Sequence, residues 1–91
     1  MYTLSAKLTF YILYAASLKD KRQVSRSLID RTKGRFNVSV AEVATQDLLQ
    51  TLTVGIAMVS SDAAYLRQSL DSVIHFMESD TDAELIKAEI Y

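Results

Sequence analysis

The segment YTLSAKLTFYILY, residues 2–14, alternates between apolar side chains directed to one side and more polar side chains directed to the other. An alternation of period two that includes aromatic and β-branched residues is typical of a β-strand with one buried face. The segment therefore predicts a long first strand. The side chains expected on its buried face are Leu4, Ala6, Leu8, Phe10 and Ile12.

A helix is predicted directly after this strand, from the cap at Ser17 to about Lys33. Residues 17–20 (SLKD) form a capping-box sequence, in which the Ser17 hydroxyl accepts a backbone N–H and Asp20 reaches back to the cap. Gly34 is placed to take the left-handed conformation that commonly ends a helix. On a helical wheel, the apolar arc of this helix consists of Leu18, Val24, Leu28 and Ile29.

The rest of the chain predicts a short strand, a longer alternating strand, a second helix that begins at Asp62, and a final strand. The expected strands cover 38–43, 51–60 and 84–91. A core stripe in the second helix consists of Leu66, Leu70, Val73, Ile74 and Met77. In the last strand, the residues expected to face inward are Ile86, Ala88 and Ile90.

The element order β-α-β-β-α-β matches the ferredoxin-like split βαβ sandwich. We therefore expect an α+β fold in which two helices cover one face of a four-stranded antiparallel sheet of order 4-1-3-2. The length of 91 residues and the absence of proline favour a single domain over residues 1–91.

Composition excludes several classes of site. The chain has no cysteine and a single histidine, His75, so no disulfide, thiolate nucleophile, metal site or other cofactor is predicted. No apolar run approaches the ~20 residues that cross a bilayer, and we expect a cytoplasmic protein with no membrane association. Residues 15–17 (AAS) lack the glycines of a phosphate-binding loop, so neither an enzyme activity nor a small-molecule substrate is predicted.

Several blocks of this sequence carry a family resemblance: residues 17–22 (SLKDKR), 26–31 (RSLIDR) and 36–43 (FNVSVAEV). They resemble the YlxP-like family of small bacterial proteins, a domain of unknown function. The resemblance implies a ferredoxin-like fold and a genomic setting beside transcription-elongation, translation-initiation and ribosome-maturation factors. It implies no catalytic residue. The connection at 44–50 departs from the family pattern, in which Ala44 and Leu49 are usually an acidic residue and a Trp.

Basic charge is concentrated in residues 17–35, where seven basic and two acidic residues give a local charge of +5. The rest of the chain carries −6, and the total is −1. On the helical wheel four cations share one sector beside the apolar arc, with no acid among them. These are Lys19, Arg22, Arg26 and Lys33.

A one-sided group of cations on an acidic domain predicts an anion-binding face, and RNA or a ribosomal particle is the favoured partner. Two alternatives remain: an acidic protein partner, or a solvated face that binds nothing. Lys21 falls within the apolar arc and is a separate candidate for anion binding. Either its stem packs on the sheet with the amine in water, or the amine points at an anion near the helix start.

On the sheet face away from the helices, the third strand is expected to carry no aromatic ring and the first strand only Tyr11, so base stacking of the kind used by RNA-recognition motifs is not predicted. The small and apolar residues of this face instead predict contact with a second copy of the chain, a homodimer that uses the basic helix to grip an acidic protein. The candidate interface residues are Tyr11, Leu13, Val43, Thr53 and Val59.

Overall fold

In the computed structural model, which describes residues 1–91, four strands and two helices follow one another in the predicted order. The strands are β1 (Tyr2–Tyr11), β2 (Ser39–Ala44), β3 (Thr51–Ser60) and β4 (Glu84–Ile90), and the helices are α1 (Leu18–Arg35) and α2 (Ala63–Asp80). The antiparallel sheet has the order β2-β3-β1-β4, which is the predicted 4-1-3-2 order counted from the opposite edge. The α+β ferredoxin-like βαββαβ fold is confirmed.

The core lies between the sheet and the helices. The two central strands pair along their whole length, from Tyr2 opposite Ser60 to Tyr11 opposite Thr51. Their core-facing side chains are buried, as the alternation of both segments predicts, except for Leu4, which is partly buried, and α2 contributes four more buried residues. The α2 residues are Leu66, Leu70, Val73 and Met77. Neither helix has the long apolar stretch that a membrane span requires.

Both helices begin at side-chain caps. The Ser17 hydroxyl accepts the backbone N–H of Asp20 at 3.1 Å, and Asp62 caps α2 by accepting two backbone N–H groups. The Asp20 carboxylate accepts the N–H of Ala16 at 3.2 Å, one residue before the cap. Since each cap satisfies donors that the first turn leaves free, these residues fix where the helices start.

The end of α1 differs from the prediction. The helix continues through Gly34 to Arg35, and no glycine in the structure has a positive φ. Phe36 ends the helix in an extended conformation, and its N–H donates to the carbonyl of Thr32 at 2.9 Å. The left-handed stop at Gly34 is therefore a wrong prediction, because an extended residue ends the helix without one.

The last strand contains an irregularity that the sequence pattern does not reveal. The pairing of β1 with β4 shifts after Thr9, so that Leu85 pairs with Phe10 and packs against the core. Ile86 is exposed, which corrects its predicted inward orientation. Ala88 and Ile90 lie opposite core residues of β1 but stay exposed, because β4 is an edge strand.

A second irregularity lies in β2, where the pairing with β3 shifts between Glu42 and Ala44 and leaves Val43 in the bulge. The Val43 side chain covers Gly55 of β3: a Cβ built on Gly55 would lie 2.7 Å from Val43 Cγ1. That separation is far below van der Waals contact. Position 55 is therefore restricted to glycine by the neighbouring side chain and not by its backbone conformation.

Gly55→Ala should lower the free energy of unfolding by about 1–2 kcal/mol, because the added methyl group overpacks against Val43. Combining Gly55→Ala with Val43→Ala should recover most of the lost free energy of unfolding. Urea unfolding followed by far-ultraviolet circular dichroism, applied to the wild type, both single variants and the double variant, measures the effect. If Gly55→Ala costs as much stability in the Val43→Ala variant as in the wild type, another contact restricts this position.

Candidate anion-binding site

The buried side of α1 is unusually polar. Its fully covered residues are Lys21, Ser25, Leu28 and Thr32, while the apolar Val24 and Ile29 flank them and are only partly buried. The predicted apolar arc therefore has the correct direction, but polar side chains occupy its middle. A polar line facing the sheet needs hydrogen-bond partners, and the structure supplies them.

Lys21 finds its partners on β2 and just after it. Its side chain is 1% exposed, its Nζ lies 3.1 Å from Glu42 Oε2, and the amine also donates to the carbonyl of Thr45. Glu42 Oε2 accepts no hydrogen bond in this contact, and Oε1 receives the Ser25 hydroxyl at 3.4 Å. The prediction that the Lys21 amine reaches water is wrong, because Glu42 turns inward from β2 and pairs with it.

Burial also removes Lys21 from the predicted anion-binding residues. A ligand at the surface of α1 cannot contact an amine that is enclosed between the helix and β2. Its role in this structure is to neutralise Glu42 and to hold Thr45 in place. The accessible set is therefore Lys19, Arg22, Arg26 and Lys33, which we term the cation stripe.

All four residues of the cation stripe are exposed, and none forms an ion pair. Every basic residue outside α1, by contrast, pairs with an acid: Lys7 and Lys87 with Glu89, and Arg67 with Asp71. All the lysine and arginine side chains without an acidic partner therefore lie on α1, in the cation stripe and at Arg35.

The cation stripe runs along the flank of α1 that overlies the edge strand β2. Arg22, Arg26 and Ile29 share a shallow pocket with two acidic residues, Asp30 and Glu42 of β2. The opposite flank of α1 turns toward the end of α2, where Arg31 pairs with Asp80 at 3.1 Å. With the rise of an α-helix, the stripe extends about 21 Å along the helix axis. Its outer side is open to an elongated ligand.

The predicted interface residues separate into two groups. Leu13, Val43 and Val59 are exposed, the last two by 50% and 66%. Thr53 is only 4% exposed, because Thr45 folds over it with the two hydroxyl oxygens 2.9 Å apart. Its predicted place in an open interface is therefore wrong. Tyr11 is half-buried, and its hydroxyl donates to Gln50 in a long contact of 3.5 Å.

The connection between β2 and β3 explains this covering. Thr45 has a φ of 60°, a left-handed conformation that directs its carbonyl to Lys21 and its hydroxyl to Thr53. At the other end of the connection, Gln50 Nε2 donates to the carbonyl of Leu13 at 3.0 Å. The segment 44–50 is thus tied to α1, to β3 and to the turn after β1.

Arg35, Phe36 and Phe76 form a cluster at the end of α1, which we term the Arg35 aromatic group, and no sequence-based prediction included it. The guanidinium carbon of Arg35 lies 5.1 Å from the centre of the Phe76 ring and 5.9 Å from that of Phe36. The two rings form an edge-to-face pair with centres 5.6 Å apart. Phe36 and Phe76 lie forty positions apart on different elements, and no sequence spacing links them; only the fold brings them together.

Comparison with known proteins places this chain in a family. Residues 3–90 match the family model described as "Protein of unknown function (DUF503)". The chain is similar to "Uncharacterized protein YlxP" of Bacillus subtilis (strain 168), with 39% identity over 74 residues that cover 80% of each chain. Among solved structures it is similar to "De novo designed protein Ferredog-Diesel", at a TM-score of 0.45 and 12% identity, covering 97% of this chain and 84% of that one. The YlxP-like resemblance is confirmed, and the chain belongs to the DUF503 family of proteins of unknown function.

Proposed function

We propose that this protein is a non-catalytic binding module that docks on RNA, free or within a ribosomal particle, through the cation stripe. The observation that carries the proposal is the distribution of charge: every basic residue without an acidic partner lies on α1, and four of the five form one exposed row. The remainder of the molecule is acidic. The translation-linked setting that the family resemblance implies agrees with an RNA partner.

The spacing within the cation stripe suits a phosphate backbone. Arg22 and Arg26 lie one helical turn apart, so their Cβ atoms are about 5–6 Å from one another. Guanidinium groups bind phosphate oxygens in a bidentate manner, and each such charge-assisted contact is stronger than a neutral one. Repulsion between like charges at this spacing costs about 0.2–0.5 kcal/mol per pair. A bound anion offsets that cost.

The open sheet face lacks the row of rings that an RNA-recognition motif carries on its central strands. On β3 it consists of Thr53, Gly55, Ala57 and Val59, none of which carries a ring; the rings on this face are Tyr11 of β1, which is half-buried, and Tyr91 beside Ser5. Base stacking of the kind used by RNA-recognition motifs therefore has no support on β3. Docking through the cation stripe would recognise the shape and phosphates of a folded RNA and not a sequence.

Ultraviolet crosslinking in cells, with sequencing of the bound RNA and mass spectrometry of the crosslinked peptides, tests the proposal. We expect enrichment of structured RNA and crosslinked nucleotides on peptides from α1. RNA recovery no greater than that from an unrelated acidic protein of the same size would rule the proposal out.

A second candidate function rests on Val43 and Val59, which are both at least half exposed on the open sheet face. We propose as the alternative that a second copy covers this face, and that the dimer uses the cation stripe to grip an acidic protein without contacting RNA. The face also carries Lys7 paired with Glu89, so it presents both signs of charge to a two-fold related copy. Light scattering that gives the mass of a dimer, with no retardation of RNA, would favour this alternative.

A further inference from the structure

An open groove lies beside the Arg35 aromatic group, between the end of α1 and the outer side of α2. Phe36 and Phe76 contribute its apolar surface, and its polar margin includes Gln68, Asp71 and His75. Its volume of about 690 Å³ falls within the range of small-molecule sites, roughly 300–1,000 Å³. The cation stripe, on the other flank of α1, does not line it.

We propose that this groove binds one unstacked nucleobase of RNA, and that guanine is the base it prefers. The base stacks against Arg35 where that side chain lies over the Phe76 ring, and Asp71 accepts hydrogen bonds from its edge. The proposal rests on the proposed function, since the same RNA would follow the cation stripe and place one base in the groove.

Stacking is favoured by the way Arg35 is held. Its guanidinium lies over Phe76 and near Phe36, and it forms no ion pair although Asp71 lines the same groove. Phe76 is itself fixed by its edge-to-face contact with Phe36. A guanidinium supported from beneath by an aromatic ring is a flat, charged platform, and unpaired bases stack on arginine planes and aromatic rings.

The preference for guanine follows from the Asp71 carboxylate at the margin of the groove. Asp71 Oδ1 lies 3.7 Å from Arg67 Nε one turn earlier, a separation longer than a hydrogen bond, and the Asp71 side chain is 65% exposed and open to a ligand. An ionised carboxylate only accepts hydrogen bonds. Guanine offers two adjacent donors, N1–H and the N2 amino group, whereas uracil offers one N–H between two carbonyl oxygens that would face the carboxylate. Guanine is therefore the best match and uracil the poorest.

The groove is also within reach of a strand that follows the cation stripe. Lys33, the last cation of the stripe, lies two residues before Arg35, about 3 Å along the helix axis and about 200° around it. A strand that follows the stripe therefore reaches the groove by crossing over the end of α1. No chain segment covers Arg35, which is exposed.

Fluorescence anisotropy with two labelled RNA heptamers, oligouridine and the same strand with one central guanosine, tests the preference. We expect the guanosine heptamer to bind about tenfold more tightly, in line with one good base contact. Asp71→Asn, a change at an exposed residue, should reduce that preference to less than about twofold. Phe76→Leu should weaken binding of the guanosine heptamer while leaving the salt dependence unchanged, because it removes no charge.

A second measurement separates the groove from the cation stripe. Guanosine monophosphate should shift the backbone amide resonances of α2 residues around Asp71, both in the wild type and in a protein with Arg22→Glu and Arg26→Glu. Equal, salt-dependent binding of both heptamers without α2 shifts would overturn the groove proposal and leave RNA docking intact. Shifts from the mononucleotide without binding of either heptamer would confirm a base site for free nucleotides and refute RNA docking. If neither heptamer binds and the mononucleotide causes no α2 shifts, both the groove proposal and RNA docking are refuted.

Discussion

Arg22→Glu combined with Arg26→Glu should abolish co-sedimentation of this protein with ribosomal particles at moderate salt. Both residues are exposed, lie in the middle of the cation stripe and have no acidic partner. The double change takes the charge of the stripe from +4 to zero and turns two carboxylates toward the phosphates. Since a hydrogen bond to a charged group contributes about 1.5–3 kcal/mol, losing two should weaken binding at least about 100-fold.

The matched control is Arg31→Glu combined with Lys87→Glu, which changes the net charge by the same amount. Arg31 lies on the opposite flank of the same helix, and both residues pair with acids outside the cation stripe. Exposed ion pairs of this kind contribute about 0–1 kcal/mol, so the control should stay folded and still co-sediment. If the stripe variant co-sediments as well, RNA docking through α1 fails; if both variants detach equally, net charge and not the stripe governs the association.

Lys21→Met should lower the free energy of unfolding by about 3–5 kcal/mol. The Lys21 side chain is 1% exposed and that of Glu42 18%, so removing the amine leaves a mostly buried carboxylate without its counter-ion. The carbonyl of Thr45 loses its donor in the same change. In a domain of this size, each kcal/mol of lost stability lowers the melting temperature by about 4–8 °C. The melting temperature should therefore fall by more than about 12 °C.

Adding Glu42→Leu to the Lys21→Met variant tests whether its loss of stability comes from the unpaired Glu42 carboxylate. The double variant should regain most of the stability lost by Lys21→Met, because replacing a buried ion pair with apolar residues is often neutral or stabilising. Urea unfolding, followed by circular dichroism, of the wild type, Lys21→Met, Glu42→Leu and the double variant gives the coupling energy between the two sites. Lys19→Met, exposed on the same helix, is the control and should change stability by no more than about 0.5 kcal/mol. A Lys21→Met protein as stable as that control would show that the amine is not enclosed.

Most of the fold could be predicted from local pattern. The alternation at 2–14 and 51–60 and the caps at Ser17 and Asp62 place the elements, and their order determines the topology. The bulges could not be predicted, because a strand keeps period two only while its ladder is unbroken. For that reason the sequence pattern places Ile86 inward, whereas the structure exposes it.

The candidate site could be predicted only in part. A helical wheel locates the cation stripe because exposure along one helix depends on its own periodicity. The burial of Lys21 depends on Glu42, a residue of another element whose inward orientation follows from strand pairing. The groove at Arg35 joins side chains from α1, the residue after it and α2, so no single segment reveals it.

The most direct test of the cation stripe is the salt dependence of binding to a structured ribosomal RNA fragment. Each phosphate contact contributes about −0.7 for a single strand or −0.9 for a duplex to the slope of log K against log salt. Four contacts give a slope of about −3 to −4 for the wild type, and removing Arg22 and Arg26 should reduce it to at most about half. A wild-type slope near zero, or the same slope for both proteins, would show that this stripe does not bind RNA.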